Sequence, residues 1–213
     1  MHSSILFGRR SVVGLALSAA LALAGTAQAQ QVTAATAAPG PTPAQIQELW
    51  DKQAITELIN TYPRGLDRLD RDLLLSIGHP DAKMTFGKTE FPSWAAYVDW
   101  LMKAHDEMTG NNHRMTNILI RVNGDRAVSE TTGTATLLVP KAGDPDMYEE
   151  RWMHSRYLDA WSRRNGKWGL DGRKTVSDYR RISYVSAAEV KKNYQVAPRM
   201  GKNDPSYKLF GAQ

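Results

Sequence analysis

Residues suited to acid–base chemistry are few in this sequence and lie at the ends of predicted elements. Asp67 follows the first helical pattern, and His113 opens the first strand of the second half. Arg173 lies on the last strand, with Asp178 beyond it. A neutral imidazole is a suitable general base near neutral pH, and a guanidinium, which stays charged, can hold an oxyanion. Since a lone histidine on a strand is more often structural, these residues permit proton transfer without requiring it.

Motifs for other kinds of chemistry are absent from the sequence. It contains no P-loop, no Gly-rich dinucleotide turn, no Gly-x-Ser-x-Gly and no His-x-x-x-His pair, so we expect neither a cofactor nor a metal. Cysteine is absent, which excludes thiol chemistry and disulfides. The formal net charge is +5, with basic and acidic residues interspersed, and this does not favour nucleic-acid binding.

The first half of the chain has the periodicity of helices. Apolar residues recur at the helical spacing over residues 43–66, and Pro43 suits a helix start. Pro63 and Gly65 disturb the pattern, so we expect the helix to kink or end there. Further helices are predicted at 71–77 and 92–106, with a short strand at 83–86 between them.

The second half predicts an antiparallel meander. Long strands are indicated at 113–122, 126–139, 149–161 and 167–179, and Asn-Gly pairs mark two tight hairpin turns. Helices followed by a meander indicate an α+β domain in which the helices cover one face of a curved sheet.

The N-terminus has the organisation of a cleavable signal peptide over residues 1–29. Arg9 and Arg10 precede an apolar run that ends in an Ala-x-Ala site, and this run is shorter than the ~20 residues that span a bilayer. We expect a periplasmic or secreted protein, exported by the general or the twin-arginine route. Residues 30–43 read as a disordered linker, 44–186 as the domain and 187–213 as a C-terminal extension.

Several segments resemble SnoaL-like, NTF2-like lyases in their order and spacing. They lie at 54–67, 113–117, 123–127 and 168–178, and the resemblance covers about residues 45–184. That family includes bile acid 7α-dehydratase, scytalone dehydratase and hexachlorocyclohexane dehydrochlorinase. The resemblance implies an α+β cone, in which a curved antiparallel sheet and the N-terminal helices enclose a deep apolar pocket, usually in a homotrimer.

The resemblance also implies catalytic residues. Asp67 and His113 match the family's His–Asp dyad, and Arg173 matches its pocket arginine. Tyr62 matches the tyrosine that the bile acid enzyme has five residues before its aspartate, where the dehydrochlorinase has lysine. In such a dyad the aspartate holds one ring N–H of the histidine, which fixes the tautomer and stabilises the imidazolium. The difference at Tyr62 leaves the identity of the leaving group open.

Aromatic residues and further histidines have less defined roles. The second long helix contains three aromatic residues that are typical of a core and would line the pocket: Trp94, Tyr97 and Trp100. His105 lies near the C-terminus of that helix, where the dipole favours histidine, and we interpret it as structural. His79 lies in a turn, and the side of the sheet on which His154 lies is open.

Together these observations predict a cofactor-independent lyase. His113 would remove a proton from a bulky, oxygenated aromatic or alicyclic substrate, and a β-substituent, most simply water, would leave. Three alternatives remain: carbon–carbon cleavage that releases formaldehyde from a lignin-derived diarylpropane, ring isomerisation, and a ligand-binding module without catalysis. The expected partners are a small apolar, oxygenated molecule and other copies of the chain, but neither nucleic acid nor, after signal cleavage, a membrane.

Overall fold

Helices precede a large sheet in the computed structural model, which describes residues 40–198 and 200–211. The signal peptide predicted for residues 1–29 lies outside the described residues, as does most of the predicted linker. From Pro41 onward the chain forms one compact unit. No helix in the described part of the chain is long and apolar enough to cross a membrane.

The first helix, α1 (Pro43–Arg68), is longer than predicted. It begins with a capping box, in which Thr42 and Gln45 bind each other's backbone N–H groups. It continues past Pro63 and ends at Leu69, whose left-handed backbone lets its N–H bond the last carbonyls. A methyl group at Gly65 would lie 2.6 Å from the Leu74 side chain, so glycine there allows the next helix to pack closely.

Four short elements follow α1. Helix α2 (Arg71–Leu75) starts at the Asp70 cap, and helix α3 (Trp94–Asp106) starts at the Ser93 cap. Between them lie strands β1 (Gly78–Phe86) and β2 (Thr89–Phe91), which form a hairpin. Strand β1 is longer than predicted, and the three-residue β2 was not predicted.

The four long strands of the second half form the predicted meander. They are β3 (Gly110–Asn123), β4 (Arg126–Pro140), β5 (Met147–Arg164) and β6 (Lys167–Ser186). The sheet order is β2-β1-β6-β5-β4-β3, and β1 pairs with β6 in parallel. The predicted meander is antiparallel throughout, but the whole sheet is mixed, because β1 joins it beside β6 in parallel, a pairing that was not predicted. Its parallel pair joins residues about ninety positions apart, as in Gly78 opposite Leu170, so no local pattern reports it.

A bulge in β3 changes which side chains face the helices. Asn117 has φ +49°, and the β3–β4 register shifts between Thr116 and Leu119. Before the bulge the odd-numbered residues Asn111, His113 and Met115 are partly buried, whereas after it the even-numbered positions are. Without the extra residue, strand alternation would turn His113 to the outer face.

One hydrophobic core lies between the helices and the sheet. Its largest fully buried side chains come from α1, α2, α3, β1, β5 and β6, among other positions, and include Ile59, Tyr62, Trp94, Trp161 and Leu170. Burial of such side chains stabilises a fold by roughly 1.5–3 kcal/mol each. The core therefore fixes α1 and α3 against the sheet face on which His113 lies.

The C-terminal extension folds into α4 (Ala187–Asn193), a 3-10 turn (Gly201–Asn203) and α5 (Pro205–Phe210). Tyr207 donates a hydrogen bond of 2.6 Å to Asp70, and Arg68 forms an ion pair with Asp204. These contacts attach the extension to the corner between α1 and α2, next to Asp67.

Candidate active site

Asp67 and His113 are in direct contact. The Nδ1 atom of His113 lies 2.7 Å from Asp67 Oδ1, and both side chains are only 9% exposed. Asp67 also accepts hydrogen bonds from the Asn111 amide, at 2.9 Å, and from the His113 backbone N–H, at 3.0 Å. Because a carboxylate only accepts, Nδ1 of His113 bears a proton, and the ring, when neutral, has its lone pair on Nε2.

Helix α1 and strand β3 position this pair together. Asp67 lies in the last turn of α1, and its carboxylate binds both the backbone and the side chain of His113. The bulge at Asn117 turns His113 toward the helices. The ring is thus held in one tautomer and one orientation, which is the arrangement that a general base requires.

His105 also contacts His113, which the sequence did not predict. It is buried in the last turn of α3, and its Nδ1 atom lies 2.8 Å from the carbonyl oxygen of Leu101. Its Nε2 atom lies 3.4 Å from Nε2 of His113, with the ring centroids 5.1 Å apart. The only sequence signal was its place at the end of a helix that leads directly into β3.

A second cluster surrounds Arg173 on the same face of the sheet. Arg173 donates two hydrogen bonds to Asp159, at 2.8 and 2.9 Å, and both side chains are buried. Its guanidinium lies over the rings of both Tyr62 and Tyr157, 4.3 and 4.5 Å from their centroids. A hydrogen bond of 3.1 Å joins the hydroxyl groups of Tyr62 and Tyr97. Arg173 and Tyr62, both predicted site residues, therefore touch.

The charges of this cluster are well defined. Burial raises the pKa of Tyr62, Tyr97 and Tyr157 above that of an exposed phenol, so all three stay neutral. Burial opposes the charge of Arg173, but attraction and hydrogen bonds from Asp159 outweigh it and raise the pKa of Arg173. The cluster thus combines a permanent cation with neutral hydroxyl groups.

Three polar atoms near this cluster are buried without a hydrogen-bond partner in the described part of the chain. They are Nη1 of Arg173 and the hydroxyl oxygens of Thr131 and Thr175. The two threonines lie opposite Tyr157 on the neighbouring strands. Since buried polar groups are rarely left unpaired, these atoms are available to a ligand or to water.

The sheet register relates the two clusters. Met115, two residues after His113 on β3, lies opposite Gly133, and a methyl group at Gly133 would lie 2.1 Å from the Tyr157 ring. Two residues span about 7 Å along a strand. The Tyr157 ring therefore packs on the sheet about two residues, or about 7 Å, along the strand direction from His113.

The three predicted substrate-binding aromatic residues differ in their surroundings. Trp94 is buried and donates a hydrogen bond of 2.7 Å to the Leu74 carbonyl, as a core residue would. Tyr97 is buried beside Tyr62. Trp100 is 40% exposed and stacks on Tyr97, with centroids 5.9 Å apart. Tyr97 and Trp94 both lie against the predicted catalytic residue Tyr62, Tyr97 through its hydroxyl and Trp94 with ring centroids 6.5 Å apart.

The remaining polar residues from the sequence lie elsewhere. His79 lies in β1 and not in a turn, and its Nε2 atom lies 3.1 Å from the carbonyl oxygen of Ser162. Asp178 binds Arg156 on the exposed side of the sheet, at 2.9 Å. His154 pairs with Thr134 on that same outer side and lies beside Tyr179.

Two cavities lie away from His113. One of about 620 Å³ opens on the outer face of the sheet, between the apolar side chains of Leu119, Val128, Leu158 and Ala160. The other, about 540 Å³, is polar and lies beside His79 and Trp168. The apolar pocket predicted between the helices and the sheet stays a prediction.

Comparison with models of protein families identifies the family of this chain. The model of the SnoaL-like domain matches residues 47–174, which is more than half of the chain. The chain belongs to this family. Asp67, His113 and Arg173 all lie within the matched part of this SnoaL-like protein. None of the curated protein sequences matches it significantly.

Solved structures confirm the predicted fold of the SnoaL-like protein. A hexachlorocyclohexane dehydrochlorinase, LinA type 2, has a TM-score of 0.59 at 18% identity, over 72% of this chain and 97% of its own. A protein of Novosphingobium aromaticivorans, provisionally assigned as a scytalone dehydratase, has a TM-score of 0.57 at 18% identity, over 73% and 97%. An NTF2-like protein of Salmonella enterica has a TM-score of 0.54 at 18% identity, over 62% and 94%. At such identities the likeness establishes the NTF2-like fold alone.

Proposed function

We propose that this SnoaL-like protein is a cofactor-independent lyase with His113 as its general base. The observation that carries the proposal is the 2.7 Å contact between His113 Nδ1 and the buried Asp67 carboxylate. This contact leaves the lone pair on Nε2, where a substrate C–H group can be deprotonated. A ligand-binding module of the same fold would not need the contact.

The reaction that fits these groups is a β-elimination. His113 Nε2 takes a proton from carbon, and the electron pair of the C–H bond forms a carbon–carbon double bond. The bond to the β-substituent breaks, and the electron pair leaves with that substituent, most simply as water. Asp67 stabilises the imidazolium that His113 becomes.

Arg173 and Tyr62 provide groups that can hold the oxygen of a substrate. The Nη1 atom of Arg173 has no partner in the described part of the chain, and the guanidinium is kept charged by Asp159. A neutral Tyr62 hydroxyl can donate a hydrogen bond to a carbonyl or to a departing hydroxyl group. With Tyr97 and Tyr157 next to them, these groups suit a bulky, oxygenated ring compound.

We also propose that the protein acts after export and as a homotrimer. The signal-peptide pattern of residues 1–29 supports export. Exposed apolar residues on the outer sheet face, Leu119 and Val128, support association between copies. Light scattering on the purified protein measures its mass, and a monomer at all concentrations would contradict the trimer.

The lyase is tested by incubating the protein with aromatic and alicyclic alcohols, without cofactor, and recording the absorbance of new double bonds. His113→Ala should lower the rate roughly 100- to 10,000-fold, the usual contribution of a general base. His154→Ala is the matched control, because His154 lies on the same sheet but on its outer face. Near-full activity of His113→Ala would show that the base lies elsewhere. Product analysis separates elimination from formaldehyde release and from isomerisation.

A further inference from the structure

The tautomers of both neighbouring histidines are fixed by their hydrogen bonds. A carbonyl oxygen can only accept, so Nδ1 of His105, 2.8 Å from the Leu101 oxygen, bears a proton. By the same reasoning Nδ1 of His113 bears the proton that it donates to Asp67. When both rings are neutral, each has its lone pair on Nε2.

These two Nε2 atoms are the ones that face each other, 3.4 Å apart. Two lone pairs at this distance repel, whereas one proton between them makes an N–H···N hydrogen bond. A second proton would place two positive rings in contact, with centroids 5.1 Å apart in a mostly buried site. The geometry thus favours one proton over none or two.

We propose that His105 and His113 share a single proton between their Nε2 atoms in the resting protein. The sharing concerns the two rings alone, whereas its use in catalysis, described below, rests on the proposed lyase function.

The charges around the pair support one positive charge. Asp67, from α1, places a carboxylate 2.7 Å from His113. His105 lies in the last turn of α3, where the helix dipole favours a cation. The neighbouring charged residues on these elements are exposed: Lys103 and Asp106 on α3, and Arg114 on β3.

In the elimination, the shared proton makes the pair both base and acid. Once the substrate enters and the hydrogen bond between the rings breaks, the shared proton stays on His105 Nε2. His113 Nε2 then takes the proton from carbon while the proton on His105 passes to the leaving oxygen, which departs as water with the electron pair of the C–O bond. The pair begins and ends with one proton, and transfer from His113 to His105 restores the resting state. The cycle therefore needs no proton from solvent.

The test is nuclear magnetic resonance of the full chain labelled with ¹⁵N in histidine, at pH 7, because imidazole ¹⁵N shifts report whether each nitrogen is protonated. Both Nδ1 atoms of the pair should be protonated, and the protonated fractions of the two Nε2 atoms should sum to one. His79 and His154, assigned by substitution, provide internal references. A sum of zero or of two would overturn the proposal, and the wild-type spectrum alone decides this.

The variant His105→Asn sharpens the test. The asparagine amide nitrogen can replace Nδ1 in the bond to the Leu101 carbonyl, while nothing replaces Nε2. The Nε2 shift of His113 should then change from its wild-type value, and an unchanged shift would contradict the sharing. Absence of lyase activity in the wild type would refute the proposed function but would leave these spectra as the measure of the shared proton.

Discussion

Replacing Asp67 with asparagine tests how the site holds its base. Three donors converge on this carboxylate: the Asn111 amide and His113 Nδ1 at one oxygen, and the His113 backbone N–H at the other. An amide has only one acceptor oxygen, so each of its two orientations places an NH₂ group against a donor. If the NH₂ group donates to Nδ1 instead, the His113 proton moves to Nε2, and the proposed base loses its lone pair there.

The expected losses of stability and of rate follow from the number of donors that would lose their acceptor at position 67. A buried donor left without an acceptor costs about 1–3 kcal/mol, so the free energy of unfolding should fall by that amount. The rate should fall by about 100- to 10,000-fold, because the proposed general base is lost. The double variant with His113→Ala should be scarcely slower than His113→Ala alone, since the two residues act as a unit.

Urea unfolding and the elimination assay measure the two effects separately. Asp178→Asn is the matched control, because it makes the same change in an exposed ion pair with Arg156 and should alter neither quantity appreciably. If Asp67→Asn kept a rate within about threefold of the wild type, the base would not depend on Asp67. Multiplicative effects in the double variant would likewise refute the view that the two residues act as one unit.

Three further predictions follow from the packing and charges. Burial raises the pKa of Tyr62, Tyr97 and Tyr157, so their contribution to stability is complete below the ordinary tyrosine pKa of about 10. Urea unfolding should therefore show that the free energy of unfolding falls as the pH rises above about 10, and that it falls less in Tyr62→Phe. A free energy of unfolding that stayed constant over this pH range would contradict the prediction. Gly133→Ala should lower the free energy of unfolding by about 1–3 kcal/mol, because its methyl group would overlap the Tyr157 ring; an unchanged urea midpoint would refute this packing. Because no three His, Asp or Glu residues in the described ranges are grouped to hold a metal, a chelator should leave activity unchanged, and loss that one divalent ion restores would contradict this.

Sequence patterns predicted the elements better than their arrangement. Helical periodicity gave α1 and α3, and the two Asn-Gly turns correctly divided β3 from β4 and β5 from β6. Pro63 did not end α1, since packing of the helix outweighs one lost hydrogen bond. The parallel pairing of β1 with β6 and the three-residue β2 depend on contacts distant in sequence, which periodicity does not report.

In the candidate site, too, the sequence indicated some residues but not all of their contacts. The contact between Asp67 and His113 was expected from the family resemblance, because neither residue has a local motif that pairs it with the other. Asp159, the partner of Arg173, was not predicted, since the strand register brings them opposite each other only after the bulges have formed. His105 was interpreted as structural, because only the folded α3 places its Nε2 atom against His113.

The bulge in β3 limits how this sequence can diverge while the contact between Asp67 and His113 survives. A substitution near Asn117 changes one side chain. Loss of a single codon there would move the side chain of every β3 residue before the bulge to the opposite face of the sheet. His113 would then project into solvent although its own codon was intact, and the sheet could still pair with β4. We therefore expect that length changes in lineages descended from this chain accumulate in the connections between strands, whereas β3 diverges by substitution alone.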